Sequence, residues 1–453
     1  MEKRFITIVD IGSYRISVCT AAIEGKDISI VAHKDAHSEG VKRGIVFNPR
    51  QAAEVTGSLI KEIENELGIK ISNVVTGIPG YGITNRDLLI EKNAADPDCI
   101  TTTELNAMTA EAYNRTENEN EKIYAAIPQS YRVGDIIDIS YDDAVGMASE
   151  TIEGKYRLLA GNKNIFSGNE RVFKNLGINI SGKALYSIAS AESTLLDQEK
   201  YNGVALIEFG GNTTNLVIYY RNTIRYVYTL PFGGNNITHD IANECRITTR
   251  LAESIKRDFG NAMPDKLAIN SEKSIQIKGR TLNDIEIPVK YLAEIINARC
   301  QEIFDAIFYK IEESGYAEQL SSGIVLTGGE ANLMCITDFI KSLSGYPVRR
   351  AMPSVKIDYS GFSKLYDYSY ASLTGLLKLV MDGEITLKGT DSASTYIEQN
   401  RQAGDDETTD NETEVTDETA GQIEEKPEKT EKKRKTTWLK DVFFGKDADN
   451  ENA

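Results

Sequence analysis

The sequence predicts an α/β fold built from two duplicated lobes, and three observations point to it. Strand-like apolar runs alternate with helix-period segments from residue 1 to about 385. A strand–turn–strand pattern near the N-terminus recurs past the middle of the chain, and a strand ending in a Gly-Gly turn follows later. The length, 453 residues, allows two or three domains that each bury a core.

The strand candidates are 5–9, 16–22, 204–209, 216–220 and 323–326, each rich in β-branched or aromatic residues and bounded by Gly, Asn or Ser. Helical periodicity marks 50–67, with Val55, Leu59, Ile63 and Leu67 spaced four apart and Gly68 as a stop signal, and also 290–313.

The repeat carries the chemistry. Residues 6–20 read ITIVDIGSYRISVCT and residues 204–220 read VALIEFGGNTTNLVIYY. Each is an apolar strand ending in an acid, then one apolar residue, a glycine, a short polar turn and a second strand. The alignment pairs Asp10 with Glu208 and Gly12 with Gly210. Glycine lets backbone N–H groups approach phosphate oxygens, and hydroxyls such as Ser13, Thr213 and Thr214 add donors. A carboxylate at each strand end, Asp10 and Glu208, suits a hydrated Mg²⁺ held through water. Tyr14 and Arg15 complete the first turn, and Gly211 and Asn212 the second. A third element, GIVLTGGEANL at 323–333, is expected to run from strand through Gly328 and Gly329 into a helix, with Glu330 at its start. Gly233 and Gly234 form one more glycine pair for the same ligand.

This order of elements resembles the superfamily of actin, sugar kinases and heat-shock-chaperone ATPases. The resemblance implies an actin-like two-lobed fold with duplicated ribonuclease-H-like cores, and ATP with Mg²⁺ as the ligands. Within the superfamily the chain is most similar to the bacterial cell-division FtsA family. The similarity rests on IVDIG at 8–12, GVKRGIVFN at 40–48, IPQSY at 127–131, LAESIKRDFGNA at 251–262 and YASLTGLL at 370–377. Homology to that family implies that Glu253 and Lys256 lie near the ribose and adenine. It further implies filaments on the cytoplasmic face of the cell membrane at the division site, which bind the C-terminal peptide of the tubulin-like FtsZ and recruit later division proteins.

The boundaries expected on this basis are a first lobe at 1–78, 169–198 and 363–387, an inserted subdomain at 79–168 and a second lobe at 199–362. The second phosphate motif departs from the superfamily's DxGGGTxD: Glu208 stands for the first acid, Asn212 for a glycine and Asn215 for the last acid. ATP binding with weak or absent hydrolysis is the expectation, because misplacement of about 1 Å costs roughly a hundredfold in rate.

Beyond Leu387 the composition changes. Residues 391–425 hold twelve Asp or Glu and one Arg, a local charge of −11 within a total of −17, and residues 426–453 carry +2. Residues 1–390 therefore carry only −8, no footprint for nucleic acid. The segment 388–431 reads as a disordered acidic linker. An amphipathic helix is predicted over 432–446: Trp438, Leu439, Val442 and Phe443 form one stripe flanked by Phe444, behind the cluster Lys433, Arg434 and Lys435. A helix of about 18 Å lies in the interface of an anionic membrane and does not cross it. The end, 447–453, is expected to be disordered.

No run of 18 apolar residues occurs and the N-terminus lacks a signal-peptide core, so a cytoplasmic protein is expected. Five scattered cysteines without a CxxC pair and three isolated histidines argue against zinc. A small-molecule kinase of the superfamily lacks a committed substrate base here. A pilus-assembly actin-like protein leaves the Trp438 segment unexplained.

Overall fold

Two five-stranded sheets of the same topology form the two lobes. In the first, the spatial order is Asp27–His37, Arg15–Glu24, Arg4–Ile11, Asn73–Ile78, Asn179–Leu185. In the second it is Thr223–Leu230, Thr214–Tyr220, Val204–Phe209, Ile324–Thr327, Val348–Arg350. In both, the central strand is antiparallel to its hairpin partner and parallel to the strand on its other side. The computed structural model describes residues 4–24, 27–267, 274–277, 285–353, 357–385 and 387. The acidic segment 388–431, the predicted amphipathic helix 432–446 and the end 447–453 lie outside the described residues.

The central strands are apolar on both faces because helices cover both sides. Ile8, Val9 and Ile11 are fully buried, as are Val204, Ala205, Ile207 and Phe209. Helix Pro49–Leu67 covers one face of the first sheet, with Asn48 accepting from the Gln51 N–H at its start and Gly68 in the left-handed region at its end. Its buried stripe is Ala52, Ala53, Thr56, Leu59, Ile60 and Ile63, while Val55 and Leu67 are half-buried and pack against the edge of the same core. A strict spacing of four winds about 40° off a 3.6-residue helix at each step, so Leu59 and Ile63 sit within the core face and Val55 and Leu67 at its margins.

Inserted within the first lobe, between strands Asn73–Ile78 and Asn179–Leu185, stands a four-stranded antiparallel sheet in the order Thr84–Asn93, Thr151–Asn162, Glu121–Val133, Ile136–Ile139. Helix Thr102–Tyr113 packs on it, started by a Thr101–Glu104 capping box. This unit closes the open edge of the second lobe. Asn85 Nδ2 donates to the Val227 carbonyl at 2.7 Å, and Asn85 Oδ1 accepts the Val227 N–H at 3.0 Å. Gln129, from the IPQSY segment, donates to the Ile224 carbonyl at 3.0 Å.

Two helices run between the lobes, Tyr186–Thr194 and Ala371–Met381. They cross so closely that a Cβ on Gly375 would lie 1.8 Å from the Ala189 carbonyl oxygen. The Ser193 hydroxyl donates to the Ala371 carbonyl at 2.7 Å across the same crossing. Behind them Glu192 accepts from Lys200 at 2.6 Å and from Tyr219 at 2.9 Å, a buried ion pair whose carboxylate is bonded at both oxygens.

Candidate functional site

The two sequence repeats become superimposable turns. The Gly12 N–H donates to the Arg15 carbonyl at 3.0 Å, and the Gly210 N–H donates to the Thr213 carbonyl at 2.9 Å. Asp10 pairs with Ser17 across the first hairpin, and Glu208 with Asn215 across the second. The turns face a cleft of about 830 Å³ between the lobes. Asp10, Gly12, Ser13, Tyr14, Arg15, Glu208, Gly210, Gly211, Asn212, Thr213, Glu253, Lys256, Gly328, Gly329 and Glu330 all line it.

Three other sequence candidates stand behind this wall. Thr214 is fully buried, and its hydroxyl donates to the Phe232 carbonyl at 2.9 Å. Strand alternation sends Thr213 and Thr214 to opposite faces, so only Thr213 reaches the cleft. Gly233 and Gly234 brace the second turn: the Gly234 N–H donates to the Gly210 carbonyl at 2.9 Å, followed by the Asn235 N–H to Gly211 at 2.7 Å. A Cβ on Gly233 would sit 2.3 Å from the Gly210 oxygen.

The third glycine element departs from the expected strand-to-helix turn. Gly328 has φ +92°, a conformation side chains rarely adopt, and a Cβ there would lie 2.5 Å from the Phe209 carbonyl oxygen. A short 3₁₀ turn, Gly329–Asn332, follows, and the helix begins only at Ile336.

Lys256 is 3% exposed, and three acceptors surround its ammonium. They are Glu330 Oε1 at 2.7 Å, Glu253 Oε2 at 2.9 Å and the Gly234 carbonyl at 3.2 Å. Three donors meet three acceptors, so Lys256 is a strut beneath the cleft floor. Glu253 also accepts from Thr238 at 2.6 Å and from Arg257 at 2.8 Å. Arg257 reaches over the cleft to donate to the Tyr14 hydroxyl at 2.9 Å, joining one lobe to the other.

At the opposite end Asp10 and Glu208 approach one another. Desolvation raises the Asp10 pKa above the ordinary carboxyl value. Desolvation, helped by the Asp10 charge, pushes Glu208 up to about 7 against the hydrogen bond from Asn215, which favours the anion. Two desolvated carboxylates at one end of a polar cleft fit a cation between them. Among the described residues no three His, Cys, Asp or Glu side chains converge as direct ligands, so the donor set fits a cation that keeps its water.

Sequence reasoning missed the wall supplied by residues 363–372. Arg15 donates to the Ser369 carbonyl at 2.8 Å and stacks on the Tyr370 ring at 3.8 Å. Asp367 caps the Ser369 N–H at 2.9 Å. Tyr186 also lines the cleft. None of these carries a local glycine or acid motif. The GVKRGIVFN segment proves to be a tight loop buttressing the first turn, with the Gly44 N–H donating to Ser13 Oγ at 2.6 Å.

A family model, Cell division protein FtsA, matches residues 205–375, from the second hairpin to the last interlobe helix. FtsA of Neisseria meningitidis serogroup B is 29% identical over 361 residues, covering 78% of this chain and 84% of that protein. FtsA of Enterococcus hirae is 26% identical over 383 residues, covering 81% and 86%. FtsA of Helicobacter pylori strain J99 is 28% identical over 408 residues, covering 83% and 82%. Over these stretches the chain is similar to FtsA proteins. Its actin-like fold is shared with a chain of a PilM–PilN type IV pilus biogenesis complex, at a TM-score of 0.59 and 14% identity over 82% of this chain and 98% of that one. MreB5 of Spiroplasma citri, solved bound to ADP, gives a TM-score of 0.51 at 14% identity, covering 84% and 98%. The FtsA match takes in Glu208, Glu253, Lys256 and Gly328, while the Asp10 hairpin lies before it.

Proposed function

We propose that this chain is a member of the FtsA family that binds ATP with Mg²⁺ between its lobes, polymerises on the cytoplasmic face of the cell membrane and tethers the FtsZ ring there. The observation that carries the nucleotide reading is the pair of matching glycine turns, each preceded by an acid, on facing walls of one cleft.

The residues divide the work along that cleft. Backbone N–H groups of the two turns, with the Ser13 and Thr213 hydroxyls, meet the phosphates. Asp10 and Glu208 hold the hydrated cation, which would neutralise charge on the β- and γ-phosphates. The Gly328–Gly329 backbone and Glu330 border the nucleoside, on a floor stiffened by Lys256 and Glu253. Arg257 and Tyr14 close the mouth. Isothermal titration of the purified chain tests this: Mg-ATP binding is expected, and its absence, with ADP also failing to bind, overturns the reading.

Membrane attachment rests on the stripe Trp438, Leu439, Val442 and Phe443 behind its basic cluster. One short helix binds weakly and reversibly, and many on one polymer hold through avidity. FtsZ, through its C-terminal peptide, and later division proteins are the partners that family membership supports. Co-sedimentation with anionic vesicles should pellet the full chain and leave a version ending at Glu431 in solution. Equal pelleting of both removes the anchor from the proposal.

A further inference from the structure

Asp10 is held by one hydroxyl and flanked by a second, both from far along the chain. Ser372 Oγ donates to Asp10 Oδ2 at 2.6 Å. The Tyr186 hydroxyl accepts the Ile11 N–H at 2.7 Å, which leaves its own proton to turn toward the neighbouring Asp10 carboxyl on the cleft wall. A carboxylate offers about four lone-pair positions. The Ser372 bond fixes its rotation, the Tyr186 hydroxyl stands beside it, and the remaining positions are left for the cleft.

The source of the two hydroxyls matters. Tyr186 is the first residue of helix Tyr186–Thr194, and Ser372 is the second of helix Ala371–Met381. The Tyr186 ring occupies the place a side chain on Gly77 would need, since a Cβ there would lie 2.0 Å from it. The ring is thereby clamped against the strand beside Asp10. The two helices are themselves locked at the Gly375–Ala189 crossing and by the Ser193 bond to Ala371. Asp10 is therefore bonded to the first turn of one interlobe helix and flanked by the first turn of the other, and a rotation of those helices displaces both hydroxyls.

We propose that Tyr186 and Ser372 are positioning residues that aim Asp10 at the divalent cation of a bound nucleoside triphosphate, and that they tie this cation to the interlobe helix pair. The proposal rests on the nucleotide reading of the cleft. It assigns to two hydroxyls, neither in a glycine motif, the task of passing cation occupancy to the elements that set the lobe angle.

The test uses the full chain and four proteins: wild type, Tyr186→Phe, Ser372→Ala and Ser372→Thr. ATP affinity is measured by calorimetry with Mg²⁺ and again in EDTA. The loss of one charge-assisted hydrogen bond is expected to weaken Mg-ATP binding about tenfold in Tyr186→Phe and in Ser372→Ala. Binding in EDTA should stay within about twofold of wild type, and Ser372→Thr, which keeps the hydroxyl, should retain wild-type affinity. Hydrogen exchange supplies the second readout: Mg-ATP should slow exchange in 186–194 and 371–381 of wild type and do so less in the two weakened variants. Wild-type Mg-ATP affinity in both variants overturns the proposal, as does an equal loss with and without Mg²⁺, which marks a merely structural role. Absence of ATP binding by the wild type overturns the cleft reading, and this inference with it.

Discussion

Asn215 Nδ2 donates to Glu208 Oε2 at 2.8 Å, while Asn215 Oδ1 accepts the Thr229 hydroxyl at 2.7 Å. The amide has one orientation that satisfies both neighbours, so an uncharged residue at this position holds the Glu208 carboxylate against the sheet.

Asn215→Asp replaces that donor with a second carboxylate about 3 Å from the first. Without a divalent cation the loss of the bond and the like-charge contact should lower stability at pH 8 by about 1–3 kcal/mol. Added Mg²⁺ should restore most of the loss. Urea melts with and without Mg²⁺ measure both effects.

Hydrolysis should be slow in the wild type. Glu208 reaches one methylene further than aspartate and is tied back by Asn215, so turnover below about 1 s⁻¹ is expected, under the ordinary enzyme range. The double variant Glu208→Asp, Asn215→Asp should raise phosphate release measurably if placement of these groups limits the rate. A wild-type rate above that bound contradicts the argument.

Gly375→Ala should be among the costliest single methyl additions in the chain. The added carbon meets the Ala189 backbone 1.8 Å away, and backbone in a buried helix cannot turn aside as a side-chain end can. The helices must part, at an expected cost of about 1–3 kcal/mol, read from the urea midpoint at unchanged m-value.

Glu384 makes stability depend on pH. Burial, followed by repulsion from Glu192 and Asp382, raises its carboxyl to about 7, and its Oε2 has no hydrogen-bond partner. In the unfolded chain a glutamate titrates near 4.3, so between that value and about 7 the folded state holds a proton that the unfolded state lacks. Stability therefore falls as pH rises through this window and levels off above it. Glu384→Gln should melt higher than wild type at pH 8 and nearly equal to it at pH 4.5, as differential scanning calorimetry would show.

Loss of the amide at Asn85 should act at a distance from residue 85. In Asn85→Ala the Val227 N–H and carbonyl both lose their partner, at about 1 kcal/mol for each unsatisfied group. Faster hydrogen exchange across Thr223–Leu230 is the expected signature, with the first lobe unchanged.

What could be read from the chain alone was whatever is encoded by neighbours. The two hairpins were legible because strand alternation, a terminal acid and a glycine turn fall within fifteen or so residues of one another. The same holds for the start of helix Pro49–Leu67 at Asn48 and its end at Gly68. The rest of the site is non-local. Ser372 lies 362 residues from the carboxylate it touches, and a serine in the first turn of an apolar helix has no pattern that announces a partner. Arg257 and Tyr14 meet only because the lobes face each other. Thr214 shows the opposite error, since it sits beside Thr213 in sequence and one residue of strand alternation turns it away from the cleft. The buried face of helix Pro49–Leu67 was legible too: Leu59 and Ile63 lie within it and Val55 and Leu67 at its margins, as a spacing of four on a period of 3.6 requires.

The pair of hydrogen bonds between Asn85 and Val227 makes the inserted subdomain something other than a detachable cassette. A single side-chain amide imitates the missing neighbour strand, offering donor and acceptor at the spacing a peptide group would. Cutting the module out would leave the Thr223–Leu230 strand as a bare template for another molecule's backbone. Any shortened version of this protein built for study must therefore carry a substitute stopper on that strand, a proline or an inward charge, or it will meet itself edge to edge before it meets a partner.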